Sequence, residues 1–140
     1  MYLTYAEYQA QGGTITDVAT FNDLEFGAEA LINYYTFNRL KNNTEIPIEV
    51  KRLTKYLIDL AQKKADALSL GDSADENTTV GTYITEQSND GVSTKYSGMA
   101  SADLYKLCNE EADGAIKQYL YGVMNELGRK LLYRGLYPGE

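Results

Sequence analysis

The sequence has no histidine, no tryptophan and one cysteine. Without histidine the chain lacks the most usual general base, metal ligand and pH switch, so ordinary nucleophile–base triads are excluded. Cys108 alone cannot form a disulfide within these residues or build a thiolate metal cluster, which fits a reducing compartment. No stretch approaches the roughly 18 apolar residues of a membrane span. The first 30 residues carry no basic run followed by an apolar one, so synthesis in the cytoplasm and no membrane partner are expected. Positive charge is also scarce. Thirteen Lys and Arg stand against twenty Asp and Glu, a net charge of −7, and such a molecule repels nucleic acid and anionic lipid. Asn42-Asn43-Thr44 and Asn77-Thr78-Thr79 have the glycosylation spacing but read as polar loops.

What is present suffices for a core. The 140 residues are 44% hydrophobic, and that length suits one domain spanning 1–140. Thr4 and Glu7 have the spacing of a capping box, which predicts a short helix that stops at Gly12-Gly13. Thr20 is the expected cap of a second helix to about Asn38, with Phe21, Leu24, Ala28, Leu31, Ile32 and Tyr35 on its core face. Pro47 suits the first turn of a third helix reaching about Ser69, along which Val50, Leu53, Leu57, Leu60, Ala61 and Leu68 form an apolar stripe. Residues 47–69 hold five basic and three acidic side chains, and Lys51, Arg52, Lys55, Lys63 and Lys64 gather opposite that stripe. They are either a solvated face or a basic surface between subunits.

From Leu70 to Ser97 the chain turns to Gly, Ser, Thr, Asp and Asn, which predicts an insertion. Within it two β-branched, partly alternating runs flank Ser88-Asn89-Asp90-Gly91, a turn signal, so a β-hairpin over about 80–98 is expected. Ser101 is the expected cap of a last long helix, with Leu104, Leu107, Cys108, Ala112, Ala115, Ile116, Tyr119, Leu120 and Val123 on its apolar face, bending or ending between Gly122 and Gly128. Cys108 on that face reads as a small buried hydrophobe. Beyond it, Leu131 to Pro138 is more apolar than a free end normally is, which predicts an interaction tail over about 129–140. The fold class expected is therefore mainly α: a small bundle of three main helices plus a short N-terminal one, an inserted hairpin and an extended C-terminal tail.

Chemistry is hard to find. Glu110-Glu111 with Asp113, and Asp72 with Asp75 and Glu76, are dense carboxylate clusters, but their spacings scatter them around a helix or leave them without the ligand order of a calcium loop. Phosphate-cradling, nucleophile-elbow and dinucleotide patterns are absent. No catalytic residue, metal site or cofactor is expected, and the chain does not read as an enzyme. Thirteen tyrosines are the compositional excess, and Tyr2, Tyr5, Tyr8, Tyr133 and Tyr137, near the two ends, lean toward interfaces.

The order of these features resembles a known family. The opening Tyr-Leu-Thr-Tyr-Ala-Glu-Tyr, Tyr34-Tyr35-Thr36 in the early helix, the central Gly-Val-Ser-Thr-Lys-Tyr-Ser and the closing Leu-Leu-Tyr-Arg-Gly-Leu (131–136) together are similar to head–tail connector proteins of tailed bacteriophages, the adaptor or head-completion family. The resemblance covers nearly the whole chain. It implies a structural protein of the virion neck, assembled on the portal after DNA packaging as a ring of about twelve subunits with head-to-tail contacts, extending the channel toward the stopper and tail. DNA would pass through without specific binding, as an acidic wall allows. The segments it points to are the tail, Leu131, Leu132, Tyr133, Arg134, Gly135, Leu136 and Tyr137, and the hairpin, Asn89, Asp90, Gly91, Val92, Lys95 and Tyr96, which would reach the portal, a neighbouring subunit or the next neck protein. The stretch Gly71–Thr79 and the last four residues depart from the family pattern. The alternative class is a helical adaptor or regulatory module that binds one protein partner through its tail without forming rings.

Overall fold

In the computed structural model, residues 1–71, 80–88, 93–99 and 101–140 are described, with side chains for 1–69 and 102–140. The chain is mainly helical. In chain order the elements are α1 (Tyr5–Ala10), α2 (Val18–Thr36), α3 (Ile48–Gly71), β1 (Val80–Ser88), β2 (Ser93–Met99) and α4 (Ser101–Tyr119). Two compact units divide the chain: Met1–Asp59 with Ala112–Glu140, and Leu60–Glu111.

The first unit begins with the expected capping box. Thr4 accepts from the Glu7 backbone N–H at 3.3 Å while the Glu7 carboxylate accepts from the Thr4 N–H at 2.9 Å, satisfying donors that the first turn leaves free. α2 starts three residues earlier than the sequence suggests. Its cap is Asp17, whose carboxylate takes both the Thr20 N–H (2.8 Å) and the Thr20 hydroxyl (2.6 Å), so Thr20 is the capped residue and not the cap. Phe21, Ala28 and Ile32 from α2, Val50, Leu53 and Ile58 from α3, and Ala115 and Ile116 from α4 form the centre of one core. Burying each of these side chains other than the two alanines contributes roughly 1.5–3 kcal/mol.

Three sequence expectations are corrected in this unit. Tyr2 and Tyr8 are buried rather than interfacial. The Tyr8 ring packs 5.1 Å from Phe21 while its hydroxyl donates to Asp59 (2.9 Å) and accepts from the Thr14 N–H, and the Tyr2 hydroxyl donates to Asn33, so both polar tips are satisfied inside the fold. α4 ends at Tyr119, ahead of both glycines; Gly122 follows at φ +76, a left-handed turn that suits a residue without Cβ. Nor is the C-terminal tail extended. Met124 bridges to Lys130 in antiparallel fashion, the Leu131 N–H donates to the Val123 carbonyl at 3.0 Å, and Leu131 has 0% of its surface exposed.

In the second unit β1 and β2 pair antiparallel, with Ile84 opposite Tyr96. Leu60, Leu104 and Cys108 are buried, in keeping with the reading of Cys108 as a small hydrophobe, and burial pushes its thiol pKa upward. The Lys64 ammonium lies 4.0 Å from the centre of the Tyr105 ring.

Candidate functional site

α2 ends in a way that prepares the C-terminal region. Phe37 and Asn38 both have left-handed backbone, φ 54 and 58, and the Asn38 N–H returns to the Asn33 carbonyl at 3.0 Å. This is uncommon for a residue as bulky as Phe. The two residues reverse the chain directly before Arg39, whose side chain is only 3% exposed.

Arg39 organises the last eleven residues. Its Nη1 donates to the carbonyls of Lys130 (3.2 Å), Leu131 (3.3 Å) and Tyr133; Nη2 donates to the Gly135 carbonyl (2.7 Å) and to Glu140 Oε2 (3.0 Å); Nε donates to Glu140 Oε1 (2.9 Å). A planar fork of five N–H donors, with Nη1 shared among three carbonyls, can serve these six acceptors. The rings of Phe37 and Tyr137 lie 5.2 and 5.0 Å from the guanidinium carbon. The paired hydrogen bonds from Arg39, followed by the Tyr137 N–H, hold the Glu140 carboxyl at about 2, well below its usual value, and the same pairing raises Arg39. Asn125 closes the arrangement by donating to the Arg39 carbonyl at 3.2 Å while its own oxygen accepts the N–H groups of Leu127 and Arg129.

The tail residues singled out by sequence therefore fall into different environments. Leu131 belongs to the core and is not available to a partner. Gly135 supplies a carbonyl to Arg39, and a Cβ there would overlap the Tyr133 ring. The Tyr137 hydroxyl accepts from the Lys130 N–H at 2.9 Å, and its ring packs, tilted, with its centre 5.0 Å from that of Tyr133. Leu132 is half-buried, while Tyr133, Arg134 and Leu136 are exposed. Leu127 and Leu136 line a groove of about 660 Å³ beside Arg39, and Leu132 and Arg134 line a second of about 700 Å³ with Tyr34, Tyr35, Phe37 and Lys117.

The basic face is not a free surface of five cations. Lys51 pairs with Glu7, which lowers the Glu7 carboxyl to about 2 with help from Thr4, and Lys55 pairs with Asp59 at 2.6 Å. Lys64 sits on Tyr105; Arg52 and Lys63 are exposed. Of the residues expected in a hairpin, Asn89, Asp90, Gly91 and Val92 lie outside the described residues, and Lys95 and Tyr96 fall on β2 in a stretch whose side chains are not described. Among the described residues no group of three Cys, Asp or Glu side chains could hold a metal ion. Of the carboxylate cluster, Asp113 accepts from Tyr35 (2.8 Å) and Lys117 (2.5 Å), which lowers its pKa, Lys117 contributing more.

Sequence reasoning missed Arg39 and Asn125. The only local signal is an arginine beside an apolar Leu40 in a segment with few bases, and neither residue's distant partners show in the sequence. No protein-family model, curated protein or solved structure matches the chain.

Proposed function

We propose that this chain is a head–tail connector of a tailed bacteriophage: a structural, non-catalytic neck protein that joins copies of itself into a ring on the portal and carries the DNA channel toward the stopper and tail. The support is the order of the four sequence motifs together with one structural observation. Apolar side chains stand exposed along the C-terminal end of the first unit, where Tyr121, Leu127 and Leu136 have 87%, 73% and 82% of their surface open to solvent. A lone domain rarely leaves large apolar groups so open on neighbouring segments, and such patches mark protein partners. In this reading Leu136, Tyr133 and Leu127 reach the portal or a neighbouring subunit while Leu131 and Arg39 fix the segment that presents them. The hairpin over 80–98 is a second contact, to the portal, a neighbouring subunit or the next neck protein. The net charge of −7 suits a wall past which DNA slides without being gripped.

Co-sedimentation with purified portal rings tests this. The chain is expected to travel with the portal, and a chain carrying Leu127→Asp and Leu136→Asp, both at exposed positions, is expected to stay behind while keeping its helical circular dichroism. A wild-type chain that remains in the supernatant at every concentration contradicts the proposal.

A further inference from the structure

α2 carries two apolar stripes. One is the core face. The other runs through Asp23, Phe26, Ala30 and Tyr34 at steps of three, four and four residues, all of them exposed, with Phe26 at 73% and Tyr34 at 77%. That spacing places them on one side of a helix, the pattern by which helices pack against other helices. The composition along the stripe is ordered. A small residue, Ala30, occupies the middle, large aromatics lie four residues to either side, and charge differs at the two ends. At the N-terminal end stands Asp23. Beside Tyr34 and Phe37 stand Arg134 and Lys117, which line the same groove. Asp23 has no hydrogen bond or ion pair among the described residues; Arg134 has none either but is near enough to Asp113 for its charge to help lower that carboxyl, and Lys117 is held by Asp113.

We infer that this stripe receives a second copy of the same chain, with the two α2 helices antiparallel and crossing at Ala30. Two observations favour a copy over another occupant. Antiparallel pairing about Ala30 sets Asp23 of one copy seven residues from the crossing, toward the C-terminal end of the other copy's α2, so Asp23 approaches the groove that carries Arg134, twice by symmetry. The same operation sets each Phe26 against the partner's Tyr34 across a central alanine small enough to let the helices approach. The contact is isologous and distinct from the head-to-tail contact of a ring, and it does not rest on the connector reading.

Sedimentation of the full chain over a dilution series tests the pairing through a charge exchange. The wild type is expected to reach twice the 15.6 kDa chain mass. Asp23→Arg and Arg134→Asp chains, each alone, face like charges at both ends of the contact and are expected at the single-chain mass. Their equimolar mixture restores opposite charges at both ends and is expected to return to twice that mass. Ala30→Arg, which blocks the crossing from an exposed position, is expected to stay single under all conditions with unchanged circular dichroism. A wild type that is single at every concentration, or single variants as heavy as the wild type, or a mixture no heavier than its components, overturns the pairing. A wild type that assembles only into large rings also overturns it, while leaving the connector reading intact.

Discussion

Arg39 grips both carboxylate oxygens of Glu140, Nε to Oε1 at 2.9 Å and Nη2 to Oε2 at 3.0 Å, across 101 positions of sequence. Around this pair the final residues fold back as part of the first unit, so a segment that reads as a free adhesive end is anchored at its base and offers only some of its side chains.

Removing the guanidinium should therefore damage the fold and not merely an interface. Arg39→Ala leaves carbonyls of 130–135 without donors and is expected to cost about 3 kcal/mol in urea unfolding. Arg39→Lys recovers only part of this, because an ammonium cannot reproduce the fork. Glu140→Gln shifts stability in the same direction by less. An Arg39→Ala chain as stable as the wild type would mean that the segment is not anchored there.

The contrast between two leucines five residues apart separates core from contact. Leu131→Ala is expected to lower stability by about 2–4 kcal/mol, the usual range for a fully buried leucine. Leu136→Ala, at a position 82% exposed, should change it by less than about 0.5 kcal/mol and act only on partner binding. Equal effects of the two on thermal unfolding would contradict this division.

Acid should weaken the protein in a defined window. Glu7 and Glu140 are both held at about 2, against an ordinary value near 4.5, so their contribution is fully present above about 4.5. As pH falls below that, the unfolded chain takes up protons that the folded chain still refuses, and the contribution is lost progressively down to about 2. Urea midpoints measured from pH 6 downward should drop through this interval, and less steeply in a Glu7→Gln, Glu140→Gln chain. A wild-type midpoint that is flat across it would show that neither carboxylate is held in the folded state.

Lys51 and Arg52 are neighbours in sequence with different duties. Lys51→Glu breaks the pair with Glu7 at the α1 cap and should cost up to about 1 kcal/mol; Arg52→Glu, at an exposed site, should leave stability unchanged. Arg52 is thus the position at which a charge reversal reports on partner binding without disturbing the fold.

Much of the helical framework is legible from local spacing. Thr4 with Glu7, the α2 core face through Phe21, Ala28 and Ile32, and the start of α3 next to Pro47 each depend on residues within a few positions of one another. What local spacing cannot carry is the long-range satisfaction of polar groups. Tyr8 can be buried because Asp59, 51 positions away, accepts a hydrogen bond from its hydroxyl, and Tyr2 because Asn33 does the same. The burial of Leu131 and the role of Arg39 likewise depend on carbonyls and a carboxylate brought together only by the folded chain, so an apolar end with several tyrosines looked unpartnered. The Asp17 cap was hidden by a nearer candidate, Thr20, whose hydroxyl is itself a donor to Asp17.

The proposal that this is a neck protein is met most directly by electron microscopy of the chain mixed with portal rings. The expected result is an added layer on the portal bearing the portal's own rotational symmetry, with the exposed tip at Leu136 in contact with it or with the adjacent subunit. Portals that image bare in the presence of excess chain would contradict it.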